Sequence, residues 1–321
     1  MQTIAIIGAG LSGLTAAHHL KGQYSVQVFE KARGVSGRMS TRHAPPYQFD
    51  HGAQFFTVNS PEFKAFLEKK IFSPYVSEWQ GQFVTIKGGV FTPYHGAGTR
   101  YVGVDKMTSL CKEMAKELCC TLGINIQGIE YRSSEGFTLT DQLGKSYGPY
   151  DKVISAIPLP QFLDLCSNYI YDKRVFNSVI MQGCISLMLG GENLPLPEFD
   201  GAKVEENLLG WIAVNSRKPG RRSPSSLIVQ STNIWAEKMQ EQDLNDVKGT
   251  MLTEVENLLQ VSYHSVGHSQ VHRWRYAAVT SPLGQDFWQH NDLPLYAVGD
   301  WCLGGKVEKA FLSGYRLAYS L

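Results

Sequence analysis

The stretch "TIAIIGAGLSGLTAAHHL", Thr3 to Leu20, has the order strand, tight turn, helix. Ile4, Ile6 and Ile7 form a short β-branched run suited to a buried parallel strand, and Leu11, Leu14, Ala17 and Leu20 recur at helical spacing. Between them, Gly8, Gly10 and Gly13 make the pattern G-x-G-x-x-G. The first glycine turns the chain, the second lets the backbone approach a pyrophosphate, and the third lets the helix pack close to the strand. The helix start then offers unpaired N–H groups and the positive end of its dipole to phosphates. Working outward, "SVQVFE" (Ser25 to Glu30) is the next strand and ends in an acid about 20 residues past the turn, where a carboxylate accepts hydrogen bonds from ribose hydroxyls. A nicotinamide-dependent dehydrogenase shares all of these features.

What separates this chain from that class is "ARGVSGRMSTR", Ala32 to Arg42, in which Gly34, Gly37 and Arg38 prolong the phosphate-binding region directly after Glu30. A second turn there suits a longer cofactor, whose pyrophosphate and ribityl chain run on to a bulky ring. Composition adds bounds without adding a partner. The 321 residues suit about two domains, and 43% hydrophobic content supports real cores. Thirty basic against twenty-nine acidic side chains leave a net charge of +1, which gives no reason to expect nucleic acid or an anionic membrane as partner. The six cysteines form no C-x-x-C pair, as in a reduced chain. No basic leader precedes "TIAII" and no apolar run nears the roughly 18 residues of a membrane span, so the expected location is cytoplasmic.

The paired turns in "GAGLSGL…VFEKARGVSGRMST" resemble the FAD-binding fold of the flavin amine oxidases. Where that family usually has Gly-Gly-Arg, this chain has Ser36-Gly37-Arg38. The segments "GRMSTR", "DHGAQFFT", "NSRKP", "HRWRYA" and "VGDWCLGGKVEKAFLSG" are similar, more narrowly, to renalase-type flavoproteins, especially bacterial ones. The resemblance implies an α/β protein: a Rossmann-like FAD domain from residues 1–59, 100–160 and 271–321, with a mixed-sheet α+β substrate domain from 60–99 and 161–270. That architecture is the one shared by flavin amine oxidases and p-hydroxybenzoate hydroxylase-like proteins.

The same resemblance implies noncovalent FAD on Gly8, Gly10, Leu11, Ser12, Gly13, Glu30, Lys31, Gly37, Arg38 and Met39, with Arg38 on the phosphates. Gly52, Ala53, Gln54 and Phe55 would lie against the flavin, and the backbone near Ile126 would meet the adenine. Gly299 and Asp300 would hold cofactor hydroxyls, and Lys306, Val307 and Ala310 would open a helix aimed at the pyrimidine edge of the ring. A dipole there stabilises the charge that reduction leaves on the ring. Cys302 lies close to this motif but carries no family reason for covalent attachment. Trp274, Arg275, Tyr276 and Gln54 would border the substrate, with Arg217 a phosphate contact. The implied reaction is oxidation of 2- or 6-dihydro isomers of NAD(P) to NAD(P)+, with molecular oxygen reduced to hydrogen peroxide. A flavin-containing amine oxidase and a noncatalytic FAD-binding redox sensor are the alternatives.

Two departures stand out: Gln230 occupies a position where the family leads one to expect histidine, and Lys309 replaces a usual glycine. His264, His268 and His272 stand four apart, but Gly267, Val271 and Trp274 give the segment a strand pattern and no carboxylate accompanies the histidines, so no metal is expected. No G-x-S-x-G elbow occurs, which removes hydrolase chemistry. Elsewhere, Ser60-Pro61-Glu62 predicts a helix start, Lys106 to Leu118 a helix, and Asp243 to Leu259 a helix with an aspartate cap. Strands are expected at "INIQGIEYR", "GFTLTD", "KVISAIP", "GCISLML" and "SLIVQST", with Pro158 and Pro160 marking a crossing between domains.

Overall fold

The computed structural model describes every residue except Ala97, Ser223, His264 and Ser265. Its first sheet has six strands in the order Trp288–Gln289, Leu295–Ala297, Lys152–Ser155, Thr3–Ile7, Ser25–Glu30 and Cys119–Leu122. All neighbours are parallel except the first pair, with Ile6 in register with both Val28 and Ile154. Side chains alternate across the strand. Ile4 and Ile6 join Leu14, Ala17, Phe311 and Leu317 on one face, while Ala5 and Ile7 join Val153, Leu295 and Trp301 on the other. Both faces are therefore covered, which is why the strand is an unbroken apolar run. The helix Leu11–Leu20 lies against the C-terminal helix Val307–Ser320 so closely that a Cβ at Gly314 would overlap the Ser12 carbonyl oxygen.

The second large sheet is mixed, in the order His268–Ser281, Ile180–Gly190, Ser226–Ser231, Leu209–Val214, Gly201–Glu205, Phe83–Lys87 and Val90–Pro93. One of its faces is sealed by the helix Leu244–Leu259, whose Val247, Met251 and Val255 pack on Ile185, Leu187 and Val229. The alternate residue Ser186 points the other way and donates to the His51 carbonyl. The two sheets thus meet through the segment around His51.

Most of the expected elements form, including the Ser60 and Asp243 caps, whose side chains accept from Phe63 N and Asn245 N. The helix expected over Lys106 to Leu118 shortens to Ser109–Ala115, because the chain must turn at once into the edge strand Cys119–Leu122. That strand, and Ser146–Tyr150 in a separate three-stranded sheet, carry no alternation strong enough to announce them. Pro158 and Pro160 mark no crossing. Pro158 caps the helix Leu159–Leu165 and Pro160 sits in its first turn, where a missing N–H costs nothing.

The expected domain boundaries shift for the same reason. Phe162, Cys166, Ile170 and Phe176 share a core with Phe137 and Trp301 of the nucleotide side, so residue 161 does not begin the second unit. Likewise Phe63 and Phe66 pack with Phe311 on that side, so residue 60 does not leave it. Residues 271–281, expected on the nucleotide side, instead continue the long strand His268–Ser281 of the mixed sheet.

Candidate functional site

A cavity of about 2390 Å³ runs from the glycine turns of the six-stranded sheet to the mixed sheet. Pockets for a single small ligand hold roughly 300–1,000 Å³, so this space suits a long cofactor together with a second molecule. Its nucleotide end is made of backbone. Gly8 N donates to Phe29 O at 2.8 Å, Ser36 N donates to Ala9 O at 2.8 Å, and Gly10 bridges Ser36. A Cβ at Gly37 would stand 3.2 Å from the Gly10 Cα, so the second glycine turn lies directly on the first. Ser36 adopts φ +105°, in the region that favours glycine. Glu30 is buried and its carboxylate accepts from Ala9 N at 2.8 Å and Ala32 N at 2.9 Å, which fixes it at the rim of the turn.

Most of the sequence-predicted cofactor residues line this cavity: Gly8, Gly10, Leu11 and Ser12; Glu30, Lys31, Gly37, Arg38 and Met39; Gly52, Ala53 and Phe55; Ile126, Asp300, Lys306, Val307 and Ala310. The helix Val307–Ser320 starts on the wall, held there by Glu308, whose carboxylate accepts from Asn59 N at 2.7 Å and Ser60 N at 2.6 Å. The glycine cradle, the acid at its rim and this helix start fit a flavin dinucleotide.

Other placements differ. Gly13 is off the cavity wall and serves packing, since a Cβ there would overlap the Gly8 carbonyl oxygen. Gly299 is also off the wall and donates its N–H to Ser313 Oγ at 3.1 Å. Arg38, expected on the phosphates, has its guanidinium on both oxygens of Asp300, at 2.9 and 2.5 Å, and on Ala277 O at 3.2 Å. The two expected contacts are thus joined to each other in one ion pair on the wall. Gln54, expected beside the flavin and substrate, is turned inward. Its amide donates to the Asp50 and Gly52 carbonyls and its oxygen accepts from Lys218 Nζ at 3.1 Å. Arg217 does not reach the cavity, because the carbonyls of Pro197, Glu198 and Phe199 hold it elsewhere.

Trp274, Arg275 and Tyr276 do line the cavity. Trp274 donates Nε1–H to the His51 carbonyl at 2.8 Å, whereas the half-exposed Arg275 is paired with Glu241 at 2.7 Å. Gln230 also lines the cavity and donates to Gly52 O at 2.8 Å, so it braces the loop that carries Gly52 and Ala53. Lys309 is off the wall.

Sequence reasoning missed a buried charge network behind that loop. Asp50 is fully buried and accepts from Arg221 Nη2 at 2.5 Å, Lys218 Nζ at 3.4 Å, Thr41 Oγ1 at 2.6 Å and Met107 N at 3.1 Å. Burial alone would raise its pKa, but the two cations outweigh burial and hold it below the usual carboxylate range. Burial in turn pulls Lys218 down against the attraction of Asp50. "NSRKP" marks a basic loop but not which member turns inward. The buried cation is Lys218, one residue past the arginine singled out from the motif.

The second missed group is imidazole. His51, 4% exposed, meets His272 edge-on at 4.9 Å between ring centroids, and His272 meets Trp274 at 4.5 Å. Burial, then the mutual proximity of the rings and of Arg42, lowers His51 to about 3; burial and Arg42 lower His272 to about 4. Both rings are therefore neutral at neutral pH. His268 stacks on Phe49 instead, and His264 lies outside the described residues. Among the described residues no group of three or more side chains is arranged to hold a metal, and no helix is long and apolar enough to cross a membrane.

Comparison with known proteins bears on this geometry. The family described as flavin containing amine oxidoreductase matches residues 87–321, and the NAD(P)-binding Rossmann-like domain family matches residues 6–69. Among solved structures, one assigned as a protoporphyrinogen oxidase from Exiguobacterium sp. 255-15 superposes with a TM-score of 0.79 at 10% identity, covering 99% of this chain and 98% of that one. An oxidoreductase from Methanosarcina mazei gives 0.73 at 14% identity over 100% of both chains. A putrescine oxidase bound to putrescine gives 0.71 at 14%, covering 99% and 98%. At these identities the structures share the fold.

Proposed function

We propose a substrate for a chain that belongs to the flavin containing amine oxidoreductase family and is a flavin-dependent oxidoreductase: it is a renalase-type oxidase of 2- or 6-dihydro NAD(P). The observation that carries this reading is charge. Among the described residues, the cavity wall supplied by the mixed sheet and by residues 41–43 includes Arg42 and Arg273, which have no carboxylate partner, beside the ion-paired Lys203 and Arg275, and no acidic side chain lines that part. A phosphate-bearing substrate meets favourable potential there, and a protonated amine meets no carboxylate.

The cofactor in this reading is FAD, held without a covalent bond. Cys302 is fully buried, off the wall, and directs its thiol at the Ala297 carbonyl. When bound, FAD would supply the two-electron acceptor chemistry by which the dihydro substrate, O2 and one proton would give NAD(P)+ and hydrogen peroxide. The protein's share is positioning and exclusion of water. Trp274 and Tyr276 supply flat apolar walls, the Gln230–Gly52 bond fixes the opposite loop, and the neutral rings of His51 and His272 border the site without adding charge. No side chain is needed to take a proton from carbon when the donor already carries a hydride.

Anaerobic mixing of the purified holoenzyme with 6-dihydro-NAD, and separately with simple amines and diamines, tests the reading. Bleaching of the visible flavin band by the dihydronicotinamide supports it. Bleaching by amines alone replaces it with amine oxidation, and bleaching by neither leaves the redox-sensor reading.

A further inference from the structure

We propose that Arg42, together with His272, forms an anion-binding subsite on the substrate wall of the cavity, which takes a phosphate group of the substrate. The proposal deepens the dihydronicotinamide reading and rests on it for the identity of the molecule that carries the phosphate. Arg42 begins the short strand Arg42–Ala44 and lines the cavity beside both histidines.

Several cations of the cavity are compensated by carboxylates. Arg38 is neutralised by Asp300, Lys203 by Glu205 and Arg275 by Glu241. Arg42 and Arg273 have no carboxylate partner among the described residues, but Arg273 Nη2 donates to the Gln242 carbonyl at 2.6 Å, whereas the hydrogen bond of Arg42 is to a neutral ring, Nη2 to His272 Nδ1 at 3.2 Å. Guanidinium only donates, so His272 Nδ1 is the acceptor and the ring's hydrogen sits on Nε2. Four of the five guanidinium hydrogens are left for a ligand, in the forked arrangement that matches phosphate oxygens.

A second observation points to the same place. His272 lines the cavity and, with Nδ1 taken by Arg42, has its Nε2–H to give, while the buried ring of His51 packs edge-on against it at 4.9 Å and fixes its orientation. An arginine without a carboxylate partner and an imidazole whose tautomer that arginine sets, both donors on one wall of the cavity, together make a site for an oxyanion. The phosphate source is the substrate's own phosphate or a free phosphate-bearing molecule, and the experiment separates the two.

Arg42→Ala and Arg42→Lys holoenzymes are compared with wild type using 6-dihydro-NAD and the corresponding dihydronicotinamide riboside, which lacks phosphate. A charge-assisted hydrogen bond is worth enough that the preference for dinucleotide over riboside in kcat/KM should fall about tenfold or more in Arg42→Ala, through KM, with partial recovery in Arg42→Lys. An unchanged preference overturns the proposal. Titration of each holoenzyme with ADP-ribose, followed by the flavin absorption band, gives a readout independent of turnover. Tighter binding to wild type than to Arg42→Ala supports the subsite even if no dihydronicotinamide isomer is oxidised, in which case the reaction assignment fails alone. Equal affinities, or binding to neither protein, overturn the subsite. An anion site serving free phosphate only would show as inorganic pyrophosphate protecting both substrates' reactions equally, and it also overturns the assignment to the substrate.

Discussion

Where Gly10 meets Ser36 the cavity wall is backbone; where His51 meets His272 and Trp274 it is side chain. The first region is assembled within about thirty residues from glycines and one acid, as the spacing of a dinucleotide turn requires. The second draws on residues 42, 50–54, 218–230 and 272–276, which only the mixed sheet and its loops bring together. The contrast teaches where each half is vulnerable. The backbone half fails when a Cβ is added, and the side-chain half fails when a charge is left alone.

The largest effect expected is at Asp50→Asn. Both Lys218 and Arg221 lose their buried counter-charge, and breaking such a pair costs about 3–5 kcal/mol, measurable by urea unfolding of the variant. Lys218→Met leaves the Asp50–Arg221 pair intact and should cost about 1 kcal/mol or less, since burial already disfavours the lysine's charge. Equal losses in the two variants would break the idea that Asp50 is the hub. On the backbone side, Gly13→Ala forces a methyl group into the Gly8 carbonyl and should cost about 2–3 kcal/mol while leaving every cavity-lining side chain in place. A thermal midpoint equal to wild type would contradict that close approach.

The pH prediction concerns the side-chain half alone. His51 and His272 are held well below their ordinary pKa of 6.5, so the unfolded chain takes up protons that the folded protein declines. Their contribution is complete above about pH 6.5 and is lost as pH falls toward 4, at up to about 1.4 kcal/mol per pH unit for each ring. The thermal midpoint should therefore drop between pH 6.5 and 5 in wild type and drop less steeply in His272→Asn; identical slopes would remove the histidines from the account. Ser36→Gly should stabilise by about 1 kcal/mol, because glycine accepts φ +105° without the strain that serine bears there. The smallest effect is expected at Arg275→Ala, whose exposed partner Glu241 leaves the unfolding midpoint unchanged.

Legibility in the sequence followed the same division. Gly8, Gly10, Glu30 and Gly37 were readable because their roles depend on spacing along the chain, and short-range geometry is written in short-range pattern. Arg217 and Gln54 are legible as polar candidates, but backbone carbonyls hold Arg217 off the cavity and Gln54 turns into the buried network, where it meets Lys218, the residue after Arg217. A shift of one residue at the end of a strand or in a tight turn reverses which side chain points inward, and no local pattern in "NSRKP" records it. In the sequence His272 shows only a spacing of four from His268, whereas its partners in the fold are His51, Trp274 and Arg42.

By itself, then, the sequence determined the first glycine turn, the acid at its rim, the second glycine turn stacked on it and the strand–helix pair at the C-terminus, since each depends on backbone conformations that few residue types allow. Tertiary structure alone decided which charges are compensated. Asp50 holds two cations, Arg38 holds Asp300, and Arg42 is left with a neutral histidine. Compensation depends on distances of a few ångströms between segments far apart in the chain, and the strength of each charge depends on how completely folding has excluded water from it.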